Sequence, residues 1–452
     1  YPGALSAIPR VYVKYLIIKK NFEKEKLALI SAFLLALNPW HIYFSRGAWE
    51  ISLNLLLTLL GIYFFVNYKN KYSLMLSAIF FTLTLWTYQG AKLSTGIVVA
   101  ILIVLFFKEL KKISIKSLAM PLIVGFVISL PIIFSLFLGQ TGRLNVFSVL
   151  SYPRPQKYLQ DFLDQGRENV GDINYYLFHP ESLNFTRGIL GRWFNHFSGK
   201  FLFFEGDWQN PRHSPPYQGM FVVGDLILFI VGAIYLSKGK IKREYLFFVF
   251  WAILAPLPAA LSRDQVHAVR SFNLAIPLVV LSSFGLYWLI SSKKFFAILV
   301  SLIYGATYIY YLDAYFTHLS VHSSQLWQYG YKQIVETIMP IQNNYKTIKV
   351  QQSYSQPYIY FLFYQHYDPK KYQLQSKLLE NNFGDVGFVE KLDNLEFVPI
   401  DWSVESRKSG ELVVADPIQI TGDNIKDKTR YKLIEEIKYL NGETAFRIVE
   451  VK

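Results

Sequence analysis

The chain has 452 residues, of which 52% are hydrophobic and only 17% charged, with a formal net charge of +14 and a mean hydropathy of +0.24. Soluble domains carry about 25% charged residues, so the composition excludes an ordinary soluble protein and reads as a polytopic membrane protein with a polar appendage. Cys is absent, which closes disulfide, Cys-zinc and thiol-nucleophile chemistry.

Residues 1–18 are apolar but short and interrupted for a complete span, and read as the remainder of a helix from a truncated start. After a basic loop, spans are predicted at 27–44, 50–67, 72–89, 93–107, 117–138, 218–237, 244–262, 271–291 and 295–313. Each is near the ~20 residues that cross a bilayer, and acidic groups are nearly absent from their interiors. One set of short loops carries Lys19, Lys20, Lys24, Lys26, Lys69, Lys71, Lys108, Lys111, Lys112, Lys116, Lys238, Lys240, Lys242, Arg243, Lys293 and Lys294; the alternating set carries only Arg46, Lys92, Arg263 and Arg270. The positive-inside rule puts the first set in the cytoplasm. That makes this a multi-pass protein of the cell (inner or plasma) membrane, with the long 139–217 loop and the C-terminal region extracytoplasmic. The basic charge is thus a topology signal, not a nucleic-acid footprint.

The turn Asn38-Pro39-Trp40-His41-Ile42-Tyr43-Phe44-Ser45-Arg46-Gly47-Ala48-Trp49-Glu50 joins two apolar runs. Its Trp and Tyr residues suit the membrane–water interface, and the i,i+4 spacing puts Arg46 and Glu50 on one face of a helical turn. An anchoring ion pair and the wall of a membrane-embedded active site both fit this pattern. In the long loop, Phe203-Phe204-Glu205-Gly206-Asp207-Trp208-Gln209-Asn210-Pro211-Arg212-His213 places two carboxylates near a His. That set can serve acid–base chemistry or a divalent metal, the one cofactor that the sequence leaves open; an ordinary surface turn would look the same. The Pro-bent stretch before Leu261-Ser262-Arg263-Asp264-Gln265-Val266-His267-Ala268-Val269-Arg270 leads into the best phosphate-site candidate, because guanidinium donors match phosphate oxygens.

From about 314 the hydropathy falls, giving a membrane region over 1–313 and a small extracytoplasmic α/β domain over 314–452. Helices are predicted at 323–339 and 357–367, and strands at 347–352, 395–400, 412–415, 432–439 and 445–451. Asn441-Gly442 signals a type I′ hairpin between the last two.

PWHIYFSRGAWE, FFEGDWQNPRH and APLPAALSRDQVHAVR together resemble bacterial members of glycosyltransferase family 39, relatives of the protein O-mannosyltransferases and the lipid A aminoarabinose transferase. The resemblance covers about residues 5–313. It implies the C-type glycosyltransferase fold. The implied activity is transfer of a sugar from a polyprenyl-phosphate carrier to an acceptor (protein, lipid or glycan) on the outer face of the cell envelope. Chemically, the lipid phosphate leaving group calls for cationic neutralisation and the acceptor hydroxyl for a carboxylate base. Glu205 and Asp207 are the carboxylate candidates in the long loop, with Glu50 carried over as an auxiliary. Arg46, Lys92, Arg212, His213, Arg263, His267 and Arg270 are the substrate- and phosphate-binding candidates. The family's principal catalytic acid lies in the first outer loop, which this reading expects upstream of Tyr1, leaving the chain as given without its main base. The competing readings are a transporter or flippase for a lipid-linked sugar, which needs ionisable groups buried at mid-membrane, and a non-catalytic assembly protein.

Overall fold

The computed structural model describes residues 2–70, 72–138, 148–240, 242–352, 356–376 and 387–452. Lys71 of the basic loops and residues 139–147 of the long loop lie outside the described residues. The chain divides into two compact units, Tyr1–Ala314 and Tyr315–Lys452.

Unit 1 is helical. Its first six helices are α1 (Pro2–Phe22), α2 (Glu25–Leu37), α3 (Pro39–Arg46), α4 (Glu50–Val66), α5 (Ser73–Thr87) and α6 (Ala91–Leu105). The first apolar run is part of one continuous helix reaching Phe22, with Pro9 inside it, and is not among the described helices that are long and apolar enough to cross a membrane. The expected span at 27–44 breaks at Asn38, and its two halves are bent by 56°. Pro39 cannot continue the hydrogen-bond ladder of α2; it starts α3, with the Asn38 side chain accepting from His41 N at 2.9 Å.

Nine spans were expected. Among the described residues four helices are long and apolar enough to cross a membrane: Ile115–Ser135, Arg243–Ala260, Phe272–Ser292 and Lys294–His322, or five with the bent pair. Four more apolar helices, Glu50–Val66, Ser73–Thr87, Ala91–Leu105 and Val223–Ser237, run 15–17 residues. A 15-residue helix rises only about 22 Å, short of the ~30 Å hydrocarbon core. The set is consistent with a membrane protein.

Helices Val223–Ser237 and Ala275–Ser292 approach closely because glycines face the partner backbone. A Cβ on Gly232 would lie 2.2 Å from Leu281 O, and one on Gly285 2.3 Å from Leu228 O. Small residues at such contacts let helices associate through van der Waals packing where no hydrophobic effect drives them together.

The connections separate to two ends. At one, Lys24 Nζ donates to Tyr235 and Arg243 pairs with Glu109. At the other, Trp40 Nε1 donates to Ala268 O at 3.2 Å, Tyr43 to Arg212 O, and Val149 N to Leu261 O. The second end holds the 38–50, 203–213 and 261–270 motifs. Trp40, expected as an interfacial anchor, is instead a core pillar, 1% exposed, packed on Phe201, Phe221 and Phe272.

The sequence reading expected span interiors nearly free of acidic groups; one such group lies in the bundle interior. Asp225 is buried, and so are Arg10 and Lys14 of α1. Arg10 donates to Ser6 O and Ser45 Oγ, and Lys14 to Ser31 O.

Unit 2 is built on a six-stranded mixed sheet in the order β2-β3-β1-β4-β6-β5. The strands are β1 (Ile348–Gln351), β2 (Lys391–Leu392), β3 (Leu395–Val398), β4 (Leu412–Ala415), β5 (Tyr431–Lys438) and β6 (Thr444–Val451). β1 pairs in parallel with β3 and β4. Strand alternation sends Leu412, Val414 and Ile448 to the face covered by helices Tyr331–Ile338 and Tyr358–Tyr364, and Val413 and Val449 to the face covered by Trp402 and Ile420. The two-residue β2 was not anticipated. The helix expected at 323–339 forms only from Tyr331, because turns lead up to Gly330 at φ 111°. The last hairpin is not type I′. Gly442 N donates to Tyr439 O, only Gly442 of the pair has positive φ (88°), and Tyr439 N donates to Glu443 O. This is a three-residue loop closed by a left-handed glycine. Asn441 Oδ1 accepts from Glu443 N and holds the turn.

Candidate functional site

Three segments far apart in sequence meet at the motif-bearing end of unit 1: the α3–α4 turn, the 200–221 stretch and the 262–274 turn. Backbone geometry sets them. Lys200–Phe204 is a single wide helical turn, and Glu205 N and Gly206 N both return to Lys200 O. Asn38 Nδ2 and Trp40 N both donate to Met220 O, so the start of α3 is tied to the end of the long loop.

Asp207 is the centre of the assembly. It is fully buried, and both carboxylate oxygens are engaged. Oδ2 accepts from Ala268 N at 2.7 Å and His213 Nδ1 at 2.8 Å; Oδ1 accepts from Asn210 N at 2.9 Å. Asp207 ties the 205–213 loop to the 262–271 turn. His213 is held through Nδ1 by Asp207, and its Nε2 is buried and without a hydrogen-bond partner. Its ring lies 5.0 Å from Trp49 and 5.3 Å from His267.

His267 N donates to His196 Nε2 at 3.2 Å, and His196 Nδ1 donates to Arg192 O at 2.7 Å, which fixes the His196 tautomer. Burial is the main cause that pushes the His196 pKa down to about 4. His267 is held well below the ordinary imidazole range, first by burial and then by the charges of Arg270 and Arg212 and by the neighbouring imidazoles. Burial thus favours the neutral form of both His196 and His267. His196 was missed in the sequence, where it lies 17 residues before His213 with no motif around it.

The cations are arginines. Arg270 Nη1 pairs with Asp264 Oδ2 at 2.8 Å, and its side chain also meets the Tyr88 hydroxyl, which lies in the field of Glu50. Tyr88 thus brings the α5–α6 turn and Glu50 to Arg270. Arg212 sits over the Trp49 ring at 5.8 Å. Arg263 points elsewhere, toward Tyr152 at 3.3 Å. Lys92 is half-buried in the first turn of α6, and no side-chain hydrogen bond or ion pair among the described residues ties it to this assembly. Arg46 ends α3 and Glu50 begins α4, so the expected helical i,i+4 face is broken by Gly47–Trp49. Glu50 is exposed. Glu205 is half exposed and pairs with Lys200 at 3.1 Å.

Asp207, His213 and His267 each offer one ligand atom, all within 4.8 Å of one another. The donor set fits a metal in part: Asp207 Oδ2 already accepts two hydrogen bonds, which leaves the two imidazoles as ligands, and Asp207 would orient His213 as outer carboxylates orient metal-bound histidines. Arg212 and Arg270 nearby oppose a cation.

Compared with protein-family models and with curated proteins, the chain finds no match. The geometry therefore carries the functional reading.

Proposed function

We propose that the chain is an integral-membrane glycosyltransferase of the C-type kind. It would move a sugar from a polyprenyl-phosphate carrier to an acceptor at the outer membrane face. The observation that carries the reading is the meeting of Arg270, Arg212, Tyr88 and exposed Glu50 on a frame built by Asp207 at one end of a largely apolar helix bundle. The opposite end carries Lys24 and Arg243 of the basic loops, which supports an outward-facing assembly under the positive-inside rule. In this reading Arg270 and Arg212 neutralise the lipid phosphate as it leaves. Glu50 orients the acceptor hydroxyl as an auxiliary carboxylate, and the Asp207–His213 pair holds the turns in register. No metal is required for these roles.

A second reading, movement of an intact lipid-linked sugar, is favoured by one observation, the buried Arg10, Lys14 and Asp225; groups of this kind inside a membrane bundle mark pathways.

One experiment separates them. Proteoliposomes carrying the chain receive a polyprenyl-phosphate sugar. Release of polyprenyl phosphate, reduced at least roughly tenfold by Glu50→Gln or Arg270→Ala, supports transfer. Translocation of the intact donor without cleavage of the glycosyl–phosphate bond overturns it.

A further inference from the structure

Unit 2 contains a second candidate site, independent of the transfer reading. Over the face of the sheet that carries Trp402 and Ile420, helix Trp402–Glu405 and the 419–430 segment leave an open cleft of about 490 Å³. Arg407 and Arg430 line it, with Ser403, Gln419 and Asn424, and Trp402 and Tyr431 form its base. The two rings pack at 5.4 Å.

The charge distribution singles this cleft out. Residues 315–452 hold three arginines, Arg407, Arg430 and Arg447, and otherwise use lysine for positive charge. Arg447 is committed to the fold through Glu436 and Ile420 O. The other two both line the cleft, and among the described residues neither forms an ion pair. Asp401, the one carboxylate on the wall, caps the helix by accepting from Ser403 N and Ser403 Oγ. The cleft therefore presents two forked guanidinium groups outside any ion pair among the described residues, Arg407 in the field of Asp401 and Arg430 in that of Asp427 and over the Tyr431 ring at 5.5 Å. Beside them stand the amides of Gln419 and Asn424; Asn424 Oδ1 already accepts from Thr421 N and Thr421 Oγ1 at 2.8 Å, which leaves its NH2 to donate.

We propose that this cleft binds an acidic saccharide, one carrying a carboxylate or phosphate. The arginines take the anionic group through paired N–H donors, and Gln419, Asn424 and Ser403 take neighbouring hydroxyls. The volume lies within the usual range of small-ligand sites and suits one or two sugar rings. Binding is read without turnover, so failure of the transfer reading leaves this proposal standing, and the reverse.

The test titrates the full chain in mild detergent with a uronic-acid-containing disaccharide, its neutral counterpart and inorganic phosphate, by calorimetry and saturation-transfer NMR. The expected result is saturable binding of the acidic disaccharide, at least tenfold weaker for the neutral one. Arg407→Ala/Arg430→Ala should weaken it at least tenfold. Arg407→Lys/Arg430→Lys, which keeps the charge and the fold but loses the fork, should weaken it less. Lys332→Ala, on the helix covering the opposite sheet face, should leave it unchanged. Absence of saturable binding, binding indifferent to both double variants, or inorganic phosphate binding as tightly as the disaccharide would each overturn the proposal.

Discussion

Replacing Asp207 tests whether the three converging turns depend on one buried carboxylate. Asp207→Ala removes the acceptor for Ala268 N–H, His213 Nδ1–H and Asn210 N–H. The first two lie in buried surroundings, and each buried donor left without a partner costs about 1–3 kcal/mol. Taking two such donors in full and the third in part, with neighbours not strictly additive, the loss is about 3–6 kcal/mol. That is a large share of the ~5–15 kcal/mol by which a domain is stable. Asp207→Asn keeps the shape, but its amide nitrogen must face one of these N–H groups, so it falls between Ala and the parent. The assay is melting in mild detergent followed by intrinsic fluorescence of the nine Trp, with limited proteolysis reporting on the 205–213 loop. Glu205→Ala is the control, since its pair with Lys200 is half exposed and such pairs contribute little. If Asp207→Ala melts within roughly 2 °C of the parent and its loop is cut no faster, the carboxylate is not the tie argued for here.

Three further outcomes follow from the same geometry. Arg270→Ala should lower turnover at limiting donor by about 10- to 100-fold, the worth of a charge-assisted hydrogen bond, whereas Arg263→Ala, directed at Tyr152, should change it little; equal effects would separate the phosphate site from the Asp264–Arg270 pair. The unfolded His196 imidazole takes a proton as pH falls through about 6.5, while the folded ring stays neutral down to about 4. Stability is therefore complete above pH 6.5 and declines by roughly 3 kcal/mol on acidification to pH 4, which a melting series should show and His196→Gln should flatten. Gly232→Ala puts a methyl against Leu281 O and should destabilise the helix pair by about 1–3 kcal/mol, read as a lower melting point; an unchanged one would mean that the two helices can move apart freely.

The apolar runs were legible because burial in lipid or protein leaves the same mark on a sequence, and most helix ends fell where Pro, Gly or charge punctuates them. Helix length was less legible. Runs such as 72–89 continue through Tyr88 and Gln89, which are compatible with an interface, but the helix stops at Thr87 where the chain turns to bring Tyr88 to Arg270. The burial of Arg10 and Lys14 was hidden, since a long basic side chain on a helix looks the same whether it faces water or Ser31 O. The role of Asp207 was hidden for another reason: its partner Ala268 N lies 61 residues away and is a backbone group, invisible to any reading of residue types. Hairpin type also needed the coordinates, because Asn441 satisfies its side chain within the turn instead of adopting the positive φ that its dipeptide favours.

The buried charges of unit 1 bear most directly on what the bundle does. Lys14 and Asp225 are 1% and 2% exposed, and each lies in the other's field. Lys14 also donates to Ser31 O at 2.9 Å, and Asp225 accepts from Ser282 Oγ at 2.8 Å. The two groups, on α1 and on Val223–Ser237, form no ion pair with each other among the described residues; through their mutual field and hydrogen bonds they can hold two helices together, or they can relay a proton. The two roles respond differently to the same substitutions. Removing one member of a buried pair strands the other and costs about 3–5 kcal/mol, while replacing both with apolar groups of similar volume is close to neutral. Lys14→Met and Asp225→Leu should therefore each reduce the yield and melting point of folded protein, and the double variant should recover most of both. If the pair is a lock in a transferase, the recovered double variant transfers sugar at a normal rate, because neither group touches the site at the end of the bundle. If it is a relay in a transporter, the double variant folds and moves nothing. A double variant no more stable than the worse single one would show that the two charges do not act as a pair at all, and the lock would have to be sought between Lys14 and the Ser31 carbonyl alone.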